Sequence, residues 1–237
     1  MSGPFIQRLE HVGPLCEAER DALQALTSSY RAVRPREDIV AGETADRLSL
    51  VLSGIAGRYK MLEDGGRRIV SFALPGDLCR VFAAAASTFD LRVAALTPCT
   101  VADIPRQTLR ELMKKHPGIS RGMWSLTLME LSRAREWLVN DSRPADKRLA
   151  HHFCELLVCL QAVGLAQENS FEFRVSQPDL ADALSVSLIH TNRTMQALRS
   201  AGLIITRDYQ VTIPDVPQLK AFAEFDPGYL CLGGVEI

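Results

Sequence analysis

The sequence predicts an α+β protein built as a strand-rich N-terminal half, one long helix, and a C-terminal half of helices closed by a hairpin. Three observations predict it. From Ser28 to Pro105 short apolar runs are broken by Gly, Pro and Asp at close intervals, the pattern of strands joined by tight turns. Between Arg106 and Asn140 glycine nearly vanishes and apolar residues recur three and four apart, the period of a helix face. From Gln177 to Gly202 the pattern is helical again, and Leu203–Ile213 then reads as two short strands across a polar turn.

In the first half, Arg47–Gly54 and Gly57–Leu62 are separated by a glycine-containing turn, and Glu63-Asp-Gly-Gly66 leads into Arg67–Leu74. A hairpin is expected there. Pro75-Gly76-Asp77 closes that run, and Val93–Leu96 and Cys99–Ile104 supply two more strands around Thr97-Pro98. Several short strands punctuated in this way predict a sandwich or roll. Pro117 stands where a helix starts well. The helix that follows carries Trp124, Leu128, Leu131 and Leu138 in one stripe, with Arg135 among them. Such a stripe packs against a copy of itself or against its own domain, and dimerisation is the expectation. Pro144, behind Asn140-Asp-Ser-Arg143, marks a domain boundary before a new helix through Leu149, Phe153 and Leu156.

Composition excludes several function classes. The 237 residues accommodate one large domain or two unequal ones,. With 27 basic against 28 acidic side chains and 47% apolar residues, the chain is ordinary globular material whose bulk charge names no partner,. Its longest uncharged stretch lies between Glu155 and Glu168, too short to span a bilayer. No apolar segment stands behind the opening MSGPFIQRLE, so no secretory signal is visible and a cytoplasmic location is expected. The six cysteines, at 16, 79, 99, 154, 159 and 231, form no CxxC pair, and they read as reduced thiols, with Cys79 and Cys99 as small buried apolar residues. No metal site is expected. His151 and His152 point roughly 100° apart on a helix, poor geometry for chelation, and read as surface and hinge packing.

The informative stretch is Gln177–Ile204. Leu180, Ala181 and Leu184 form the buried face of a first short helix, Ser185-Val186 is a turn, and Ser187 can cap a second helix burying Ile189 or Leu188, Met195 and Leu198,. Small Ala181 permits a close crossing. The second helix then directs Ser187, His190, Thr191, Asn192 and Arg193 outward, donors and acceptors fit for base edges and phosphates. Gly202 ends it in the left-handed conformation that glycine adopts at low cost, and a wing follows. From Pro144 to Asp215 there are six basic residues and eight acidic ones. Phosphate attraction therefore rests on the placement of Arg193, Arg199 and Arg207.

This order of elements resembles the Crp/Fnr family of bacterial transcription regulators over nearly the whole chain. The likeness is carried by strands punctuated with Gly42, Gly54 and Gly76, the long helix, the break, and the run Leu184–Ile204. The resemblance implies a cyclic-nucleotide-binding-like β-roll (a double-stranded β-helix) as sensor over residues 1–115, a dimerisation helix and hinge over 116–143, and a winged helix-turn-helix with a C-terminal extension over 144–237. It implies a homodimer on a palindromic promoter site, with RNA polymerase as a further partner and no membrane. Arg193 is the firm transfer of a base-reading residue, since the family's glutamate position falls on Ile189. Asn192 and His190 follow, and Ser187 and Thr191 are implied phosphate contacts.

Departures from the family limit the sensor. The Arg-Ser pair that clamps a cyclic phosphate falls on Phe89-Asp90, and the Gly-Glu pair falls near Arg80-Val81. An aspartate repels a phosphate, so cyclic AMP is disfavoured and the effector is unknown, with Arg80 and Arg92 as weak candidates to meet an anion. Cys16 alone precedes the roll, so an iron–sulfur cluster, which takes four thiolates, is disfavoured as well. Two other function classes compete with a DNA-binding regulator. The helix-turn-helix could serve as a protein-interaction module, which the acidic balance would tolerate. A β-roll enzyme needs inward histidines for its metal, and Ala22–Lys115 holds none, so catalysis is not expected.

Overall fold

A computed structural model describes residues 3–40, 46–79 and 92–232. Two helices, α1 (Pro4–Glu10) and α2 (Glu17–Leu26), precede the roll. Its strands are β1 (Arg31–Val33), β2 (Asp38–Val40), β3 (Arg47–Ser53), β4 (Ala56–Met61), β5 (Arg67–Ala73), β6 (Arg92–Ala95) and β7 (Cys99–Pro105). They form two antiparallel sheets, in the orders β1-β7-β3 and β2-β6-β4-β5, and Val51, Ala56, Val93, Cys99 and Val101 belong to a core of the roll. The predicted hairpin forms, with Met61 opposite Arg67. β3 and β4, although consecutive, fall in different sheets. Gly54 makes that change of sheet possible at φ +84°, where a Cβ would stand 2.3 Å from the Pro98 carbonyl oxygen,.

After α3 (Arg106–Lys115), the long helix α4 (Pro117–Asn140) lays Ile119, Met123, Leu126 and Met129 into a core with α1 and the outer face of β3 and β7. The second half comprises α5 (Ala145–Gln161), β8 (Ser170–Glu172), α6 (Gln177–Leu184), α7 (Leu188–Ser200), β9 (Ile205–Arg207), β10 (Gln210–Thr212), α8 (Val216–Ala223) and a 3₁₀ turn at Pro227–Leu230. The expected wing, β9 and β10, is extended by β8 into a three-stranded sheet. At three residues β8 is too short for alternation to signal it.

One apolar core joins the halves. Tyr59, Ile69 and Phe72 on the outer face of the roll share it with Trp137 and with Leu149, Phe153 and Leu156 of α5, and the Phe72 and Trp137 rings meet edge to face at 5.3 Å. This seam corrects the expectation for the paired histidines: His151 and His152 are both buried, because Trp137 covers one and Phe225 and Tyr229 cover the other. No helix among the described residues is long and apolar enough to cross a membrane.

Candidate nucleic-acid interface

Local sequence chemistry positions α6 and α7. Ser176 caps α6, its hydroxyl accepting from the Asp179 amide at 3.3 Å, and Pro178 follows at the start of the helix, where its missing N–H costs nothing,. The helix stops at Ser185, which takes the left-handed conformation at φ 52°. Ser187 then caps α7, accepting from the His190 amide at 3.2 Å. Leu180, Ala181 and Leu184 are buried as expected, and so are Met195 and Leu198. Gly202 ends the unit at φ 68°, and Arg199 ties α7 to the wing through the Thr206 hydroxyl at 3.1 Å.

His190, Asn192 and Arg193 are exposed on α7, Ser187 is exposed at its cap, and Arg207 is exposed on the wing. Thr191 is not. It is fully buried, with its hydroxyl donating to the Ser187 carbonyl at 3.2 Å, because it lies four residues before Met195 and seven before Leu198 and so shares their face. The same geometry expels the two residues expected in the core: Leu188 is 45% and Ile189 67% exposed.

The acidic balance of this half is resolved by where the carboxylates go. Leu188–Ser200 contains no Asp or Glu. Asp179 and Asp182 on α6 are held by Arg67 of the roll, the latter at 2.7 Å, Glu155 is buried against Arg133 at 3.1 Å, and Glu172 pairs with Arg174. Half the acids are thus neutralised away from α7, and Arg193, Arg199 and Arg207 are left on its side. Sequence reasoning missed the contributions of Arg67 and Arg133, which come from distant segments and carry no local signal.

On α4 the predicted stripe faces away from its own domain. Trp124 is 59% and Leu138 74% exposed, Leu131 is exposed and Leu128 half-buried, while Met123, Met129, Arg133 and Trp137 take the inner face. In the roll, Arg80, Val81, Phe89 and Asp90 lie outside the described residues. Arg92 is described: its guanidinium stands 4.0 Å from Asp38, whose other oxygen accepts from the Tyr59 hydroxyl at 2.8 Å. Cys79 and Cys99 are buried. Burial pushes the Cys79 thiol up to about 12 against the opposing charge of Arg58, and burial raises Cys99 too, so both stay protonated and unreactive at neutral pH.

A β-roll joined through a long helix to a winged helix-turn-helix whose second helix carries no acid defines a DNA-binding transcription regulator. The profile of the cyclic nucleotide-binding domain matches residues 33–116, and that of the Crp-like helix-turn-helix domain matches residues 147–222. The chain belongs to the Crp/Fnr family. It is 27% identical to the transcriptional activator protein FnrL of Cereibacter sphaeroides, over 80% of this chain and 77% of that one. It is 29% identical to the nitrogen fixation regulation protein FixK of Bradyrhizobium diazoefficiens, over 73% and 72%. The structure of FixK2 from Bradyrhizobium japonicum superposes with a TM-score of 0.70 at 24% identity, covering 82% of this chain and 96% of that one. These relatives are transcription regulators, not enzymes.

Proposed function

We propose that the chain binds a palindromic promoter site as a homodimer, with α7 of each protomer in the major groove and a signal at the β-roll controlling the complex. The observation that carries this is the exposed face of α7. Its opposite side is locked into the core by Thr191, Met195 and Leu198, so Arg193, Asn192 and His190 are presented rigidly on a helix without acids. Arg193 can offer a guanine O6 and N7 two parallel donors. Ser187 and Arg207 flank it as phosphate contacts.

The outward Trp124, Leu131 and Leu138 supply the dimer face, and two-fold symmetry then sets the half-sites about one helical turn, ~34 Å, apart. Sedimentation at micromolar concentration checks this, and a monomer would end it. A cytoplasmic location and contact with RNA polymerase suit an activator of this family. In this reading the sensor works without cyclic AMP, because the family resemblance sets Asp90 where the phosphate clamp would be, and without an iron–sulfur cluster, given one cysteine before the roll. The effector is unknown, and Arg80 and Arg92 are only weak candidates to meet an anionic one, Arg92 standing beside Asp38.

Anisotropy titration against a selected palindrome and a scrambled duplex tests the whole. Arg193→Ala should weaken the palindrome by about 1–3 kcal/mol per half-site and leave the scrambled duplex nearly unchanged. Equal losses on both would make Arg193 a backbone contact and move base recognition to His190 and Asn192.

A further inference from the structure

Ile189 is a β-branched apolar side chain, 67% exposed, on the first turn of α7. The fold gives it no reason to be there. An exposed helical position gains nothing from isoleucine, which loses rotamer freedom against the preceding turn. Nor can the helix roll to bury it. At roughly 100° per residue, Ile189 stands about 180° from Leu198 and about 160° from Thr191, and both of those are buried. The Ser187 cap fixes the turn on which it sits.

The neighbours of Ile189 say what it faces. Arg193 lies four residues on, about 40° around the helix, and Asn192 and Gln196 lie within about 60°. All three are exposed. An apolar side chain thus sits on the same ridge as the polar groups assigned to base edges, one turn nearer the N-terminus, and it is the N-terminal turn of a recognition helix that meets base edges. The major groove offers one apolar group to such a side chain, the 5-methyl of thymine. Leu188, beside it and 45% exposed, widens the apolar surface.

We infer that Ile189 is a specificity-determining residue that selects thymine by packing on its methyl group, one or two base pairs from the guanine taken by Arg193. The inference rests on the proposed seating of α7 in the major groove and adds the identity of a second base to it. Cytosine at that position would present an amino group, and adenine an amino group and N7, to a side chain with no donor or acceptor. Thymine also leaves its O4 without a partner there, but it alone adds a methyl group for the side chain to pack on.

The test uses the full-length protein. Duplexes are selected from a random pool, each thymine of the enriched half-site is replaced in turn by deoxyuridine, which lacks only the methyl group, and affinities are measured for the wild type and Ile189→Ala. One thymine should stand out. Its replacement should weaken the wild type about four-fold per half-site, the value of one buried methyl, and about fifteen-fold for both. Ile189→Ala should bind the thymine and deoxyuridine duplexes equally, keep its guanine preference, and melt at the wild-type temperature. A flat deoxyuridine scan in the wild type, or the same loss in both proteins, would overturn the assignment while leaving the regulator intact. Selection unchanged by Ile189→Ala would do so too, and would turn this surface over to a protein partner. If no sequence is enriched at all, the seating of α7 fails and the assignment falls with it.

Discussion

The winged half meets the roll at two junctions that use the same chemistry, arginine against carboxylate, at different depths. At the centre, Asp77 of the roll receives Arg8 of α1 and Arg133 of α4, each at 3.2 Å. Arg133 also reaches Glu155 of α5 at 3.1 Å, and Trp137 and Tyr229 donate to the same carboxylate at 3.2 and 2.7 Å. Every one of these charged groups is nearly sealed from water. At the rim, the β4–β5 hairpin extends Arg67 to Asp179 and Asp182, and Arg68 to Asp141 and to the carbonyls of Asp182 and Ala183. Asp182 and Asp141 remain partly solvated. The central array therefore specifies one placement of the winged half, because any other strands a charge in the core. At the rim Asp179 is buried, but the Arg67–Asp182 and Arg68–Asp141 pairs can trade their partners for water at small cost,.

The sharpest way to break this contrast is Glu155→Ala. Burial pushes Glu155 upward, but Arg133 and the donors Tyr229 and Trp137 outweigh it and hold the carboxyl below its ordinary range. Removing it leaves Arg133 buried beside a void. The loss of stability should be about 3–5 kcal/mol, the usual result of breaking a buried pair on one side, read as a shift of the urea midpoint at constant slope. A loss below about 1 kcal/mol would show that water already reaches the centre, and the two junctions would be alike.

Acid tests the same centre through a different group. Burial lowers His152 to about 3; it is packed on Trp137 at 4.3 Å and Phe72 at 6.0 Å, with Nδ1 unpartnered. Its folded pKa lies below the unfolded value near 6.5, so the neutral ring contributes full stability above pH 6.5, and that contribution drains as the pH falls toward 3 because the unfolded chain takes the proton first. The slope is about 1.4 kcal/mol per pH unit for one such group, and His151, also lowered by burial, adds to it. Between pH 6.5 and 4.5, His152→Phe should remove about one group's worth of that slope. An unchanged slope would mean that His152 is solvated in the folded protein.

What was legible in the sequence follows the same division between local and distant. The helix-turn-helix could be read because Ser187 and Gly202 act on their own backbone within a few residues, as do Ser176 and Pro178, which the structure adds. The stripe on α4 could be read as one face because three- and four-residue spacing places its members together, while its outward direction comes from the packing of Met123, Met129 and Trp137 on the other side. Hydrophobicity alone places Ile189 inside and Thr191 outside, but register decides otherwise: counting back from Met195 and Leu198 puts the threonine inside,. The central array was invisible because its partners are far apart in the chain, Arg133 standing 56 residues from Asp77, and the rim likewise joins Arg67 to Asp182 across 115. His151 and His152 were misplaced for that reason too, since the rings that bury them come from α4 and the C-terminal turn.

The smallest effect is expected at the rim, and it separates the junctions by salt instead of by size. Arg68→Ala removes a pair whose Asp141 partner is 39% exposed and should cost at most about 1 kcal/mol. Added salt screens exposed charges within a Debye length of about 10 Å at 0.1 M and far less of a buried pair. Raising the salt should therefore weaken the wild type by about what Arg68→Ala has already lost, and the variant should respond less. Glu155→Ala should keep the full salt response of the wild type, because its rim is intact. If Arg68→Ala and Glu155→Ala shift equally with salt, depth does not distinguish the junctions, and the β4–β5 hairpin loses its claim to be the adjustable contact on the winged half.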